Sequence, residues 1–156
     1  MSTLLDTFLN LPDKRKKAVH FALCSQALRV WKNYCDTHKE LDYVEAVCGT
    51  KQVIDQDLPI AAVRAAIAGR DAENVAYRYQ EPITAMHDDD LIFPDNVAFA
   101  YYSIYNLFER YVTCRNIDDW LIANQALSSN GKGADYASIL AEAISKTAEQ
   151  SFHQDY

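Results

Sequence analysis

One short stretch of the chain places several side chains with metal-binding or acid–base chemistry side by side. His87 is followed directly by Asp88, Asp89 and Asp90, and Asp95 lies five residues further on. Carboxylates at this density can hold Mg²⁺ or Ca²⁺. Adjacent carboxylates in one loop point in different directions, however, whereas a catalytic site usually draws its ligands from separate elements. A metal-dependent enzyme with this carboxylate site is therefore an alternative. A solvated acidic loop that complements the dipole of the next helix is the simpler interpretation.

The same acidic stretch also suits a docking surface for the Lys and Arg side chains of another protein. The formal net charge is −7, and residues 81–119 hold 2 basic and 8 acidic side chains, whereas residues 1–80 are close to neutral. A field of this kind mainly accelerates the encounter with a cationic partner. It also argues against nucleic acid as a partner, because phosphate binding needs a basic surface. The predicted partner-binding carboxylates are Glu81, Asp88, Asp89, Asp90, Asp95, Asp118 and Asp119.

Tyrosine is the second unusual feature of the sequence. The chain has 10 tyrosines, and several of them lie close to the acidic segment. Tyrosine gives a large contact area at a low entropic cost and is enriched in protein interfaces. We expect most of these side chains to lie in a helical core, and we predict that Tyr77 and Tyr79 face a partner.

Other sequence patterns that carry chemistry are weak. His20 and Cys24 are four residues apart and could share a helical face, but a zinc site needs more clustered ligands. The four cysteines show no CxxC spacing, so we expect reduced, buried thiols. No glycine-rich phosphate loop and no GxSxG, HExxH or EF-hand pattern is present. The sequence therefore predicts no catalytic residues, no bound metal and no cofactor.

These side chains must be positioned by helices, because helical periodicity dominates the sequence. With 4 Gly and 4 Pro in 156 residues, loops must be few and short. We predict an all-α fold, a single-domain multi-helix bundle of residues 1–156, with a frayed tail at 151–156. A central apolar helix at about 95–114 has to be surrounded by the others. Helices are predicted over 3–9, 12–37, 41–48, 59–80, 95–114, 116–127 and 136–150.

Two features of these predicted helices need a closer description: the continuity of the segment 59–80, and the start of the helix after the central one. The segment 59–80 is either one helix or two helices broken at Gly69, and Pro82 is expected to end it. Asn116 is expected to cap the helix that follows the central one. An alanine stripe that begins at Ala61 and Ala65 offers a face for self-association. An oligomeric scaffold or regulator is therefore a further alternative.

The stretch from Asp88 to Tyr111, DDDLIFPDNVAFAYYSIYNLFERY, resembles the helical immunity proteins that bacteria pair with polymorphic or contact-delivered toxins. The resemblance is one of general character over about residues 58–127. It implies a non-enzymatic inhibitor that blocks a toxin with a basic active-site face, such as a nuclease. The N-terminus lacks the basic and apolar regions of a secretory signal, and no apolar run is long enough to cross a membrane. We therefore expect a cytoplasmic protein that acts away from membranes.

Overall fold

The computed structural model of the chain describes residues 2–38, 41–44, 49–87 and 91–153. Most of these residues are helical, which confirms the predicted all-α class. No helix among them is both long and apolar enough to span a bilayer. In chain order the elements are α1 (Ser2–Leu9), α2 (Asp13–Thr37), β1 (Asp42–Val44), β2 (Lys51–Val53), α3 (Leu58–Ala68), α4 (Val75–Arg78), α5 (Gln80–His87), α6 (Asp95–Tyr111), α7 (Asp119–Ser128) and α8 (Tyr136–His153).

The architecture is built on an antiparallel pair of long helices, α2 and α6. Near the start of α2, His20 contacts Tyr111 at the end of α6. Near the end of α2, Trp31 packs on Tyr101, whose ring centroid is 5.1 Å away. Pro94 precedes α6, and α6 is in contact with α2, α3 and α7. The prediction that this apolar helix is central is confirmed.

The remaining helices cover the α2–α6 pair and enclose one connected hydrophobic core. Helix α3 packs against α6, α7 packs against both α2 and α6, and α8 packs against α2. The buried alanines of α3 include Ala61 and Ala65, so the start of the proposed self-association stripe lies inside the chain's own core. Short side chains allow two helices to approach closely. This part of the stripe therefore serves packing within the chain.

A small antiparallel hairpin replaces part of a predicted helix. Asp42 pairs with Val53, and Val44 pairs with Lys51. The prediction of a helix over 41–48 is wrong at 42–44, while residues 45–48 lie outside the described part of the chain. Burial alternates from Leu41 to Val44, with Tyr43 turned inward, which is the period-2 pattern of a half-buried strand. Strands of three residues are too short for that pattern to stand out in the sequence.

Between residues 58 and 87, the broken alternative is the correct one. Gly69 adopts a left-handed conformation with φ of 72° and ends α3, as a glycine C-cap does. The prediction that Pro82 ends a helix is wrong, because Pro82 lies in the first turn of α5. In that turn a backbone N–H has no partner within the helix, so proline is tolerated. Helix α5 continues through this residue to His87.

The cap of α7 also differs from the prediction. Asp118 is the N-cap, and its carboxylate accepts a hydrogen bond from the Trp120 N–H, whereas Asn116 lies outside the helix. Helix α8 continues to His153, three residues beyond its predicted end. The first half of the tail that we expected to be frayed is thus helical, and residues 154–156 lie outside the described chain.

The antiparallel arrangement gives the molecule two distinct ends. We call residues 12–21 and 108–120 the lysine end, since they hold six cationic and four acidic side chains. We call residues 41–44, 49–57, 71–87 and 91–97 the hairpin end. These residues hold seven carboxylates and two cationic side chains. By formal charge the lysine end is therefore net positive and the hairpin end net negative, although Arg64 of α3 pairs with two of the hairpin-end carboxylates.

Candidate functional site

A buried polar cluster at the lysine end connects α2, α6 and α7. His20 is fully buried in α2. Its Nε2 lies 2.8 Å from the backbone oxygen of Asp119, and its Nδ1 lies 2.7 Å from the Tyr111 hydroxyl. Phe8 of α1 closes the cluster, with its ring centroid 5.5 Å from that of His20. One imidazole thereby joins three helices of the bundle.

These contacts define the protonation state of His20. A carbonyl oxygen can only accept, so Nε2 donates to Asp119, and the neutral ring then accepts a hydrogen bond from the Tyr111 hydroxyl at Nδ1. Burial lowers the pKa of His20, because an imidazolium ion would lose its hydration there. Burial likewise raises the pKa of Tyr111 to about 12, so the phenol keeps its proton. Both groups are therefore neutral at physiological pH.

Asp118 and Asp119, two of the predicted partner-binding carboxylates, have structural contacts within the chain. Asp118 caps α7. The Asp119 carboxylate is largely buried and lies 3.1 Å from Arg110 Nη2 and 3.4 Å from Lys16 Nζ. Its charge is already balanced within the chain. Asp119 thus has ionic partners within the chain and Asp118 caps α7, and their predicted role in docking stays a prediction.

Tyr79 is misassigned, because it lies in the core. It is 1% exposed, and its ring packs against Tyr101, Tyr105 and Phe108 of α6. Burial raises the pKa of the Tyr79 hydroxyl well above its ordinary value. By contrast, Tyr77 is 68% exposed. Tyr77 lies in the short helix α4 and Tyr79 is its C-cap, and the two point in nearly opposite directions because a spacing of two residues turns a helix by about 200°.

The thiols among the described residues do not form a reactive pair with His20. Cys24 is fully buried one turn after His20, and burial raises the pKa of its thiol to about 12. Its sulfur contacts the backbone oxygen of Ser103, at a distance of 3.8 Å. Cys35 is buried as well, whereas Cys114 is exposed. The expectation of reduced, buried thiols thus holds for Cys24 and Cys35.

The other predicted site residues lie at the hairpin end. Glu81 is half-buried in the first turn of α5, and Asp95 is exposed in the first turn of α6. Between these helices, Ile92 is 78% exposed. Asp88, Asp89 and Asp90 lie outside the described residues, so their arrangement with His87 is not defined. Within the described chain, no group of three or more His, Cys, Asp or Glu side chains could hold a metal ion.

Sequence reasoning missed an ion-pair network beside Tyr77. The guanidinium of Arg64 lies 2.8 Å from Glu73 and 3.2 Å from Asp57. Arg78 pairs with Asp55 in the loop after the hairpin. Hydrogen bonding to these carboxylates raises the pKa of both guanidinium groups. The network fixes α4, and therefore Tyr77, relative to α3 and the hairpin.

A groove of about 650 Å³ was also missed. It runs between α2, α3 and α8, with lysines at its rim and mostly apolar side chains along its floor. A smaller concavity of about 290 Å³ adjoins it at Lys14 and Lys17 and reaches Arg110 and Tyr111. The available sequence signal was the run of four basic residues at the start of α2, where cations oppose the helix dipole.

Comparison of the chain with protein-family models, with curated proteins and with solved structures finds no match.

Proposed function

We propose that this protein is a non-enzymatic inhibitor, an immunity protein that binds and blocks a cytoplasm-acting protein toxin through its hairpin end. The observation that carries this proposal is the exposure of two large apolar side chains, Tyr77 and Ile92, on segments rich in carboxylates. Isolated exposed apolar residues are common on protein surfaces. An exposed aromatic and an exposed aliphatic side chain within an acidic surface match the apolar anchors and charged rim of a protein interface.

The distribution of charge supports the hairpin end over the whole acidic segment. Asp95 begins α6 and Arg110 lies fifteen residues later, so the two are about 22 Å apart along the helix axis. Asp119 is bound to Arg110 at the far end. The predicted carboxylates therefore do not form one patch. Glu81 and Asp95 belong to the proposed surface, together with Asp88, Asp89 and Asp90, which join the two helices in the sequence.

Binding would proceed in two physical steps. The excess of carboxylates at the hairpin end attracts a cationic active-site face and raises the association rate, most strongly at low ionic strength. Burial of Tyr77 and Ile92 against the partner then slows dissociation. The inhibitor covers the toxin's active site and requires no bond-making chemistry of its own.

The reading frame immediately upstream provides the direct test. We expect its C-terminal domain to be toxic when expressed alone and harmless when co-expressed with this chain. Purified toxin domain should bind the chain, and Tyr77→Ala should weaken binding at least tenfold, mainly through faster dissociation. Leu121→Ala removes a less exposed apolar side chain from α7, outside the hairpin end, and is the control.

Charge substitutions test the electrostatic contribution to the association rate separately from the burial of apolar side chains. Replacing Asp88, Asp89 and Asp90 with arginine, or combining Glu81→Lys with Asp95→Lys, should slow association and flatten its dependence on salt. Glu142→Lys, on the exposed face of α8, makes a matched change outside the hairpin end and should have little effect. Association rates that stay unchanged at low salt would refute steering. A neighbouring frame without toxicity that this chain neutralises would count against the proposed function itself.

A further inference from the structure

The groove between α2, α3 and α8 exposes one continuous face of a long helix. Its α2 wall consists of residues at helical i, i+3, i+4 and i+7 spacing, which is the spacing of a face that packs on another helix. From Lys14 to Ser25 this face extends over about 16 Å, or three turns. None of the described elements covers it. The α2 wall is formed by Lys14, Lys17, Ala18, Phe21, Ala22 and Ser25.

The opposite walls complete a slot with an apolar floor and a basic rim. Helix α3 contributes Ala66 and Ile67, and α8 contributes Lys146 and Thr147. Ile67 is 71% exposed at the edge, although it is a large aliphatic side chain. Lys146 also contacts Glu142 one turn away on the surface of α8. None of the lining residues, all of which the structure describes, is acidic.

The lysines at the rim are held in place by the fold. Lys17 Nζ lies 5.2 Å from the centroid of the Tyr111 ring and 5.9 Å from that of Phe21. Arg15 is turned away from the groove, because its guanidinium donates to the backbone oxygen of Ile144 and so ties α2 to α8. Within the basic run of α2, Arg15 therefore makes a contact inside the chain, whereas Lys14 and Lys17 form a cationic rim at one end of the slot.

The shape and the charge of the slot select the kind of occupant. A site for a small molecule buries most of its ligand, whereas this trough is open along its length and leaves Ile67 exposed. Helices pack with their axes 8–10 Å apart when small side chains lie at the contact, and alanine at positions 18, 22 and 66 provides that clearance. The positive charge at the rim favours carboxylates on the flank of the incoming helix.

We propose that this groove binds an acidic amphipathic helix of a partner protein, on a surface separate from the hairpin end. The apolar stripe of the helix would lie along Ala18, Ala22 and Ile67. Its carboxylates would meet Lys14 and Lys17 at one end of the slot, and Lys146 on the α8 side. This mode of recognition is the insertion of a helix into a groove, in which apolar anchors provide affinity and flanking charges fix the orientation.

The test uses the full chain and a fluorescein-labelled synthetic peptide of eighteen residues. The peptide carries leucine along one helical face and glutamate on both flanks, and a second peptide replaces every glutamate with lysine. We expect saturable binding of the acidic peptide by fluorescence anisotropy, and binding of the basic peptide at least tenfold weaker. Amide NMR shifts should be largest at Ala18, Ala22 and Ile67.

Two pairs of variants localise the binding. Lys14→Glu with Lys17→Glu should weaken binding at least tenfold, whereas Arg29→Glu with Lys32→Glu, on exposed α2 positions outside the groove, should change it less than threefold. Ala22→Glu should abolish binding, and Ala141→Glu on exposed α8 should not. Circular dichroism confirms that each variant is folded, and the surface lysine variants keep the test valid if Ala22→Glu unfolds.

Three results would overturn the proposal. The first is no saturable binding of the acidic peptide. The second is binding that the lysine reversals do not affect, or NMR shifts confined to the hairpin end. The third is self-association of the chain alone in sedimentation that Lys14→Glu with Lys17→Glu abolishes, since the groove would then hold a second copy of this chain.

Discussion

The two ends of the α2–α6 pair use the same types of side chain in opposite ways. At the lysine end, a histidine, a tyrosine and a carboxylate face inward, and their polar groups hold α2, α6 and α7 together. At the hairpin end, aromatic rings form the interior, while carboxylates and large apolar side chains lie on the outside. The comparison shows that residue type alone does not identify a binding surface. The partners that the fold gives each group also matter, such as Arg110 and Lys16 for Asp119.

We expect the largest loss of stability from a substitution in the aromatic core that packs against the hairpin end. Trp31 is fully buried, packs edge-on against Phe93, and donates its indole N–H to the backbone oxygen of Gln56. Trp31→Ala should lower the free energy of unfolding by about 3–5 kcal/mol, because it leaves a cavity and an unpaired carbonyl. Urea denaturation measures this loss. Trp31→Phe keeps most of the packing, and a loss equal to that of the alanine variant would contradict this interpretation.

The buried histidine should give the lysine end a distinct dependence on pH. Its folded-state pKa lies below the ordinary value of 6.5, so the unfolded chain takes up the proton first as the pH falls. The stabilisation is complete above about pH 6.5 and is lost as the pH falls toward the folded-state pKa. Titration of this single group limits the slope of stability against pH to at most about 1.4 kcal/mol per pH unit.

Denaturation of the wild type and of His20→Gln between pH 7.5 and 5 checks this expectation. The substitution should destabilise the protein by about 2 kcal/mol at pH 7, since two buried hydrogen bonds are disrupted. It should also remove most of the pH-dependent difference below pH 6.5. His38→Gln changes an exposed histidine at the other end of α2 and should retain that difference. Identical pH profiles for wild type and His20→Gln would contradict the assigned role.

Smaller losses of stability are expected from breaking ion pairs, and these losses should differ between the two ends. Asp119 is largely buried between Arg110 and Lys16, so Asp119→Asn should cost about 1–2 kcal/mol of stability. Glu73→Gln breaks the exposed pair with Arg64 at the hairpin end and should cost less, because water screens that pair. Thermal unfolding at low and high salt measures both. A larger loss for Glu73→Gln would reverse the comparison.

The sequence predicts the long helices well because their signal is local and repeated. The spacing of Val19, Leu23, Ala27 and Trp31 defines the buried face of α2, and this face is buried in the structure. The hairpin was missed because three-residue strands have no periodicity to measure. Gly69 was recognised as a possible break, but its left-handed φ depends on how α3 and α4 pack.

The candidate site was less predictable for a physical reason. Tyr77 and Tyr79 have the same side chain and nearly the same sequence environment, and only the packing of Tyr79 against α6 separates the buried one from the exposed one. Asp119 looked like a surface carboxylate until its cationic neighbours from α2 and α6 were placed. The basic run at the start of α2 was visible in the sequence, whereas the groove also needs walls from α3 and α8.

The most direct test of the central claim is the rate at which this chain associates with the neighbouring toxin domain, measured by stopped flow at 20 mM and 200 mM salt. We expect Glu81→Lys with Asp95→Lys to slow association strongly at 20 mM salt and little at 200 mM. The Lys14→Glu with Lys17→Glu variant, at the lysine end, should associate no more slowly than the wild type. If the lysine-end variant associates more slowly and the hairpin-end variant associates at the wild-type rate, the toxin does not bind through the hairpin end.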